Sequence, residues 1–516
     1  MDINSPSTMP FAMPHHLSAI VAFILYLSIV MLVGLIAYMA TRNLSDYVLG
    51  GRRLGGAVAA LSAGASDMSS WLLMGLPGAI YVSGLKEVWA VVGLVVGAYC
   101  SWKFIAKPLR IYSEVAKDSV TVPAYLDNRF RDDSKKIRMV AALATLIFFT
   151  FYIASGLLAG GILLSLTFKL EYSTALWLGA FIIMLYTTIG GFLAVSWTDF
   201  FQGTLMLFCL LLAPFFAIQS LGGWDAGIQK LLLVQPNYLE WTKGLTAMKL
   251  IGLFSWGLGY LGMPHILVRF MAVKTVKEIP LARTVCMWWM SLSMVGAVLV
   301  GMVGAIHFCN CPLDNNETVF MALAEQAFTP WIMGIILAAI LSSSMCAVDS
   351  QMLAASSAIT EDIYRSMFRR KASQRELMWV GRGAVALIAV IAIFIAGKKS
   401  HSIMQLIAFA WAGLGATFGA SVVFSLFWKR CTRNGVVVGM LLGAATVIVW
   451  RFAGFNVWMY ELLPGFLASS LGVVIVSLLD RAPTPEIIAE FDQVWELCRS
   501  ETDISPLPVH SNSVLE

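Results

Sequence analysis

The chain has 516 residues, of which 59% are hydrophobic and only 13% charged, where an ordinary soluble domain carries roughly 25% charged residues. That balance excludes a soluble globular enzyme and points to an all-α polytopic membrane protein. The net charge of +5 implies no nucleic-acid partner, because membrane topology accounts for the basic residues.

In chain order, a polar tail covers 1–16, where His15 and His16 are given no role. Thirteen apolar runs follow: 17–40, 56–83, 88–108, 139–165, 174–195, 198–218, 247–272, 281–306, 327–358, 377–397, 402–428, 434–452 and 460–479. Each is near or above the length of about 20 residues that crosses a bilayer. A single transmembrane domain, 17–480, and a short polar tail, 481–516, are expected. The first run has no Lys or Arg before it and no small-residue cleavage site, so it reads as an uncleaved anchor. With the N-terminus outside, the inside segments hold 27 of the 35 lysines and arginines, among them the group from Arg269 to Arg283. This bias is the positive-inside rule, and it puts the C-terminus in the cytoplasm.

The second run contains "SAGASDMSSW", with Asp67 and four serines. A carboxylate at bilayer depth costs on the order of 3 kcal/mol on insertion scales, and serine and glycine weaken the helix. The seventh run contains "FSWGLGYLGMPH", interrupted by Gly257, Gly259, Gly262 and Pro264. One such stretch would be read as close helix packing. Two, at the same place in successive five-span units, fit an inverted-repeat transporter whose first helices are broken at mid-membrane. The eight cysteines are scattered, several within spans, which argues against a disulfide framework. Cys309 and Cys311, one residue apart, would form a strained bridge. The chain shows no zinc-protease helix motif, P-loop or nucleophile elbow, so no enzymatic function and no cofactor are expected.

The pieces "DYVLGGRRLG", "ALSAGASDMSSWLLMGLPGA", "YIASG", "GGFLAVSWTD", "WGLGYLGMPHILVRFMA" and "SSAITEDIY" resemble the sodium/solute symporter family, most closely its bacterial proline-transporting branch. The resemblance runs from about 30 to 480. It implies a LeuT-like core of two inverted five-helix repeats, about 56–218 and 247–428. It also implies cation-driven uptake of proline across a bacterial plasma membrane. By the same resemblance, the substrate site uses Asp67, Ser69, Tyr152, Trp256, Tyr260 and Pro264. Proline suits them, since a zwitterion needs charged or polar partners and a pyrrolidine ring needs flat apolar walls. Asp67 is also placed to cap the second half-helix. Ser70 departs from the family pattern, which has glycine there.

The family's principal sodium site implies carbonyls of Ala65, Met68 and Ser343, completed by two hydroxyls on the ninth span. Aligned without gaps, those two positions hold Cys346 and Ala347, and neither offers an oxygen. A three-residue slip would place Ser342–Ser344 there, but it needs a compensating gap inside a membrane helix. Asp349 stands where the family has serine, and is expected near Asp199 of "SWTD". Two facing carboxylates would share a proton or hold a displaced sodium ion, so proton coupling stands as the alternative to sodium. Arg52 matches a family arginine linked to coupling. A solute-sensing receptor acting with a separate partner chain is the competing class, and a channel fits broken helices less well.

Overall fold

The computed structural model describes residues 17–38, 49, 52, 54–398 and 402–500. The tail 1–16, the end of the first run, most of "DYVLGGRRLG" and 501–516 lie outside the described residues.

Within the described residues, each of the thirteen apolar runs is largely helical. Among the described residues, nine helices are long and apolar enough to cross a membrane, or ten if one bent pair is counted. Local start signals agree with the sequence. Thr246, Ser373, Ser402 and Thr432 each accept a backbone N–H of the first turn of the helix that follows them, and Pro264, Pro280 and Pro330 sit in first turns, where a missing N–H is harmless. Large apolar side chains such as Phe181, Trp288 and Phe394 are exposed, while Ser62, Asp199, Gln202, Arg269 and Asp349 are buried. Apolar outside and polar inside is the arrangement a lipid solvent demands.

Four features differ from the sequence expectation. The fifth and sixth runs, expected to part at 196–197, form one helical stretch, Tyr172–Ser220, kinked instead at Gly191 (φ 64°, ψ −170°). Glycine reaches that left-handed backbone without Cβ strain, and "SWTD" remains helical. The ninth span, Pro330–Ser357, continues as far as Phe368. Short helices Val122–Arg129, Trp224–Val234 and Val319–Ala327 occupy connections expected to be loops. Finally, the polar tail contains a helix, Pro485–Arg499, that buries Ile487, Phe491 and Val494. Their spacing is an amphipathic stripe, which an eye searching for bilayer-length runs passes over.

The interrupted second and seventh spans lie at the centre. Close backbone contact holds the seventh against the third. A Cβ on Gly93 would meet the Phe254 carbonyl oxygen at 2.2 Å, and one on Gly97 would meet that of Gly257 at 2.1 Å. Neither contact leaves room for any side chain. The two broken spans also meet at one end, where Lys274 N–H donates to the Leu54 carbonyl (3.0 Å).

Candidate functional site

The first interruption is sharper than the sequence suggested. Helix Gly56–Ser70 runs regularly through Asp67 and turns at Ser69 (φ 47°, ψ −168°), beyond which a wide turn, Trp71–Gly75, leads into Leu76–Ser83. Ser62 to Ser66 stay helical, with Ser66 Oγ bonded back to the Ser62 carbonyl at 2.6 Å and Ser62 Oγ taken up by Asp199. The second interruption is a tight turn, Ser255–Leu261, followed by Gly262 and Met263; Pro264 then opens the helix Pro264–Ala272, and the span bends by 43°.

Four of the six expected substrate residues meet on one cavity between these breaks: Asp67, Tyr152, Trp256 and Tyr260. Tyr260 donates its hydroxyl to Asp67 Oδ2, and Tyr152 donates to the Asp67 carbonyl oxygen at 3.1 Å. The expected capping role of Asp67 is not what its carboxylate does here: Oδ2 takes the tyrosine, and Oδ1 is buried with no hydrogen-bond partner. Ser69 accepts Trp71 N–H at 3.2 Å, and Pro264 begins the lower half-helix; neither lines the cavity. The sequence reading missed Trp71, Leu94, Ile407 and Trp411 as walls. Trp71 stacks on Trp256 at 6.1 Å between ring centres, and Trp411 Nε1 donates to the Trp256 carbonyl at 2.9 Å. Trp71 was legible, two residues beyond the break at Ser69; Trp411, on a regular helix, carries no local signal. The enclosed volume is about 20 Å³, room for about one water, so the walls are closed on one another.

Beside this cavity lies a polar cluster. Asp199 Oδ2 accepts Ser62 Oγ at 2.7 Å and Arg269 Nη2 at 3.1 Å. Arg269 also donates from Nε to Ser62 Oγ (2.8 Å), from Nη2 to Ser350 Oγ (2.6 Å) and from Nη1 to the His265 carbonyl (2.6 Å). Both charged side chains are almost wholly buried, at 2% and 0% exposure. This corrects one expectation: Arg269 is an internal charge rather than a cytoplasmic one, and its guanidinium pairs with Asp199. The signal was available: an arginine inside an apolar run needs a buried partner.

Cys346 donates to Gln202 Oε1 at 2.9 Å, and Gln202 Nε2 donates to the Tyr26 hydroxyl at 2.9 Å. Tyr26, from the first span, also pairs with Ser342 Oγ. Asp199 and Asp349 are both electrostatic neighbours of the Cys346 thiol. Ala65, Met68, Ser343, Ala347 and Asp349 are buried in the second and ninth spans, which pack together here. Further along, Arg52 reaches Asp118 (2.9 Å), the Ser119 carbonyl (3.0 Å) and the Met271 carbonyl (2.6 Å). It thus ties the loop before the first broken span to the end of the second. Burial, then neighbouring Arg110, pulls its pKa below the ordinary value, with Asp118 pushing the other way.

Two broken membrane helices around an aromatic cavity with a buried carboxylate are the features of a secondary transporter. Comparison with known proteins narrows the class. The sodium:solute symporter family model matches residues 47–443. The chain is 48% identical over 478 residues to the sodium/proline symporter of Salmonella typhimurium, covering 92% of this chain and 95% of that protein. It is 47% identical over 464 residues to the high-affinity proline transporter PutP of Bacillus subtilis, covering 90% and 98%. Among solved structures, a Na+-coupled sialic acid symporter matches with a TM-score of 0.78 at 18% identity, covering 91% of this chain and 99% of its own. MhsT in complex with L-phenylalanine matches with 0.52 at 12% identity, covering 83% and 98%. These likenesses at low identity show the shared fold. The chain belongs to the sodium:solute symporter family, a family of transporters and not of enzymes.

Proposed function

We propose that this protein is a secondary active symporter that imports L-proline across a bacterial plasma membrane, driven by sodium. The observation that carries the reading is the convergence of Asp67, Tyr152, Trp256 and Tyr260 on one cavity between the two breaks. The buried, unpartnered Asp67 Oδ1 suits an ammonium group, and the tryptophan and tyrosine faces suit a pyrrolidine ring. Relatives named for proline transport over nine-tenths of the chain support the choice of substrate. No observation favours the receptor reading. The cavity must widen to take an amino acid, as alternating access requires. Replacing Trp256 or Tyr152 by alanine removes about 1–3 kcal/mol of buried contact. Transport assays should then show a KM for proline raised roughly 5- to 150-fold with protein still in the membrane. Wild-type uptake by either variant removes that residue from the site.

Sodium, as co-substrate, would take the carbonyls of Ala65, Met68 and Ser343, with Asp199 and Asp349 as the nearby charges. Proton coupling is the second reading, favoured by one observation: the hydroxyl positions hold a thiol already bonded to Gln202 and an alanine. Thirteen spans with the N-terminus outside is the topology that the lysine and arginine bias supports. A cysteine at Asn315 should then react with an impermeant reagent from outside, and one at Lys371 only from inside. The reverse at either position overturns the count.

A further inference from the structure

A cavity of about 640 Å³ is lined by segments assigned to the outside: Val82–Glu87, Gln235–Leu245 and Arg451–Glu461. Tyr460 lines it, and Trp256 lines the small inner cavity. The two rings lie face to face, with centroids 4.7 Å apart and planes 13° apart, and Trp256 in turn stacks on Trp71. Three stacked rings therefore run from the outer chamber to the inner wall. We propose that Tyr460 is the outer hatch of the transport site, a positioning residue that admits substrate by leaving Trp256 and clamps Trp256 over it on return. This rests on the inner cavity being the proline site.

Trp256 sits on the unwound turn Ser255–Leu261, where no regular helix sets its ring, so neighbours must do so. Its carbonyl is held by Trp411, and its ring by Trp71 and Tyr460. Tyr460 is anchored twice. Its hydroxyl donates to the Ala408 carbonyl at 2.7 Å. The following residue, Glu461, is buried and paired with Arg451 at 3.3 Å. A Cβ on Gly252 would come within 3.1 Å of Tyr460 N, so the hatch closes directly on the broken span. Tyr460 precedes Leu462–Leu479, a helix beyond both expected repeats. A peripheral span thereby reaches the central site.

The test uses full-length protein in proteoliposomes, with insertion measured for each variant. Tyr460→Phe keeps the flat face and should transport within about 3-fold of wild type. Tyr460→Ala and Tyr460→Leu lose the stack. Each should lower steady-state proline accumulation about 10-fold while exchange of internal for external labelled proline stays within about 2-fold, because an unlatched site leaks without losing its contacts. A merely structural role would lower both rates together and overturns the proposal, as does wild-type accumulation by Tyr460→Leu. Trp256→Ala is run beside them. If that variant binds proline normally, the pocket assignment is what has failed; if it loses binding while Tyr460→Leu accumulates normally, only the hatch has.

Discussion

Arg269→Ala should abolish proline accumulation, by at least about 100-fold relative to wild type per inserted transporter. The guanidinium joins four spans: Ser62 on the second, Asp199 on the sixth, the His265 carbonyl on its own seventh, and Ser350 on the ninth. Removing it leaves Asp199 charged, buried and without its counter-ion, a change that costs about 3–5 kcal/mol when a buried pair loses one member. Lysine should rescue poorly, because one ammonium cannot reproduce the fork of three donating nitrogens. Arg269→Gln combined with Asp199→Asn removes both charges together and should restore insertion without restoring coupling. A double-mutant cycle on thermal stability in detergent isolates the pair, with a coupling of at least about 1 kcal/mol expected. Accumulation within 3-fold of wild type by Arg269→Ala would remove this pair from the account.

What the sequence made legible follows from which forces leave a local trace. Bilayer-length apolar runs are local, and among the described residues each is largely helix. Glycine, proline and serine inside such runs are local too, so both breaks and the residues on them could be named. The exact turn could not. Ser69, rather than any of the serines from Ser62 to Ser66, takes the left-handed backbone, and packing of the surrounding spans selects it. Trp411 and Ile407 come from a regular helix and reach the site only through tertiary packing. Arg269 was legible in principle but was absorbed into a charge count. The expected facing pair of carboxylates, Asp199 and Asp349, omitted the arginine that meets Asp199.

Asp349→Asn should lower accumulation at least about 10-fold in any ion gradient. The substitution preserves shape and removes one buried charge, so a change reports electrostatics rather than packing. Sodium prefers hard oxygen ligands, and Cys346 and Ala347 supply none. The carboxylate of Asp349, fully buried on the same helix, is the charge nearest in sequence to those positions. The family-like triple variant Cys346→Ser, Ala347→Thr, Asp349→Ser should recover sodium-driven uptake and lose sensitivity to external pH. Uptake by wild type should depend more strongly on external acidity than in that variant. Normal transport by Asp349→Asn under both sodium and proton gradients would mean that this departure has no part in coupling.

The central claim, symport of proline on a cation gradient, is tested most directly by labelled proline uptake into proteoliposomes holding the purified full-length chain. With sodium outside and none within, internal proline should rise well above the external concentration and collapse when the gradient is dissipated. An imposed pH gradient in sodium-free buffer should give little or none of this; strong accumulation there would assign the coupling ion as the proton. Equilibration without accumulation under both gradients, or no entry of proline at all, would contradict the account.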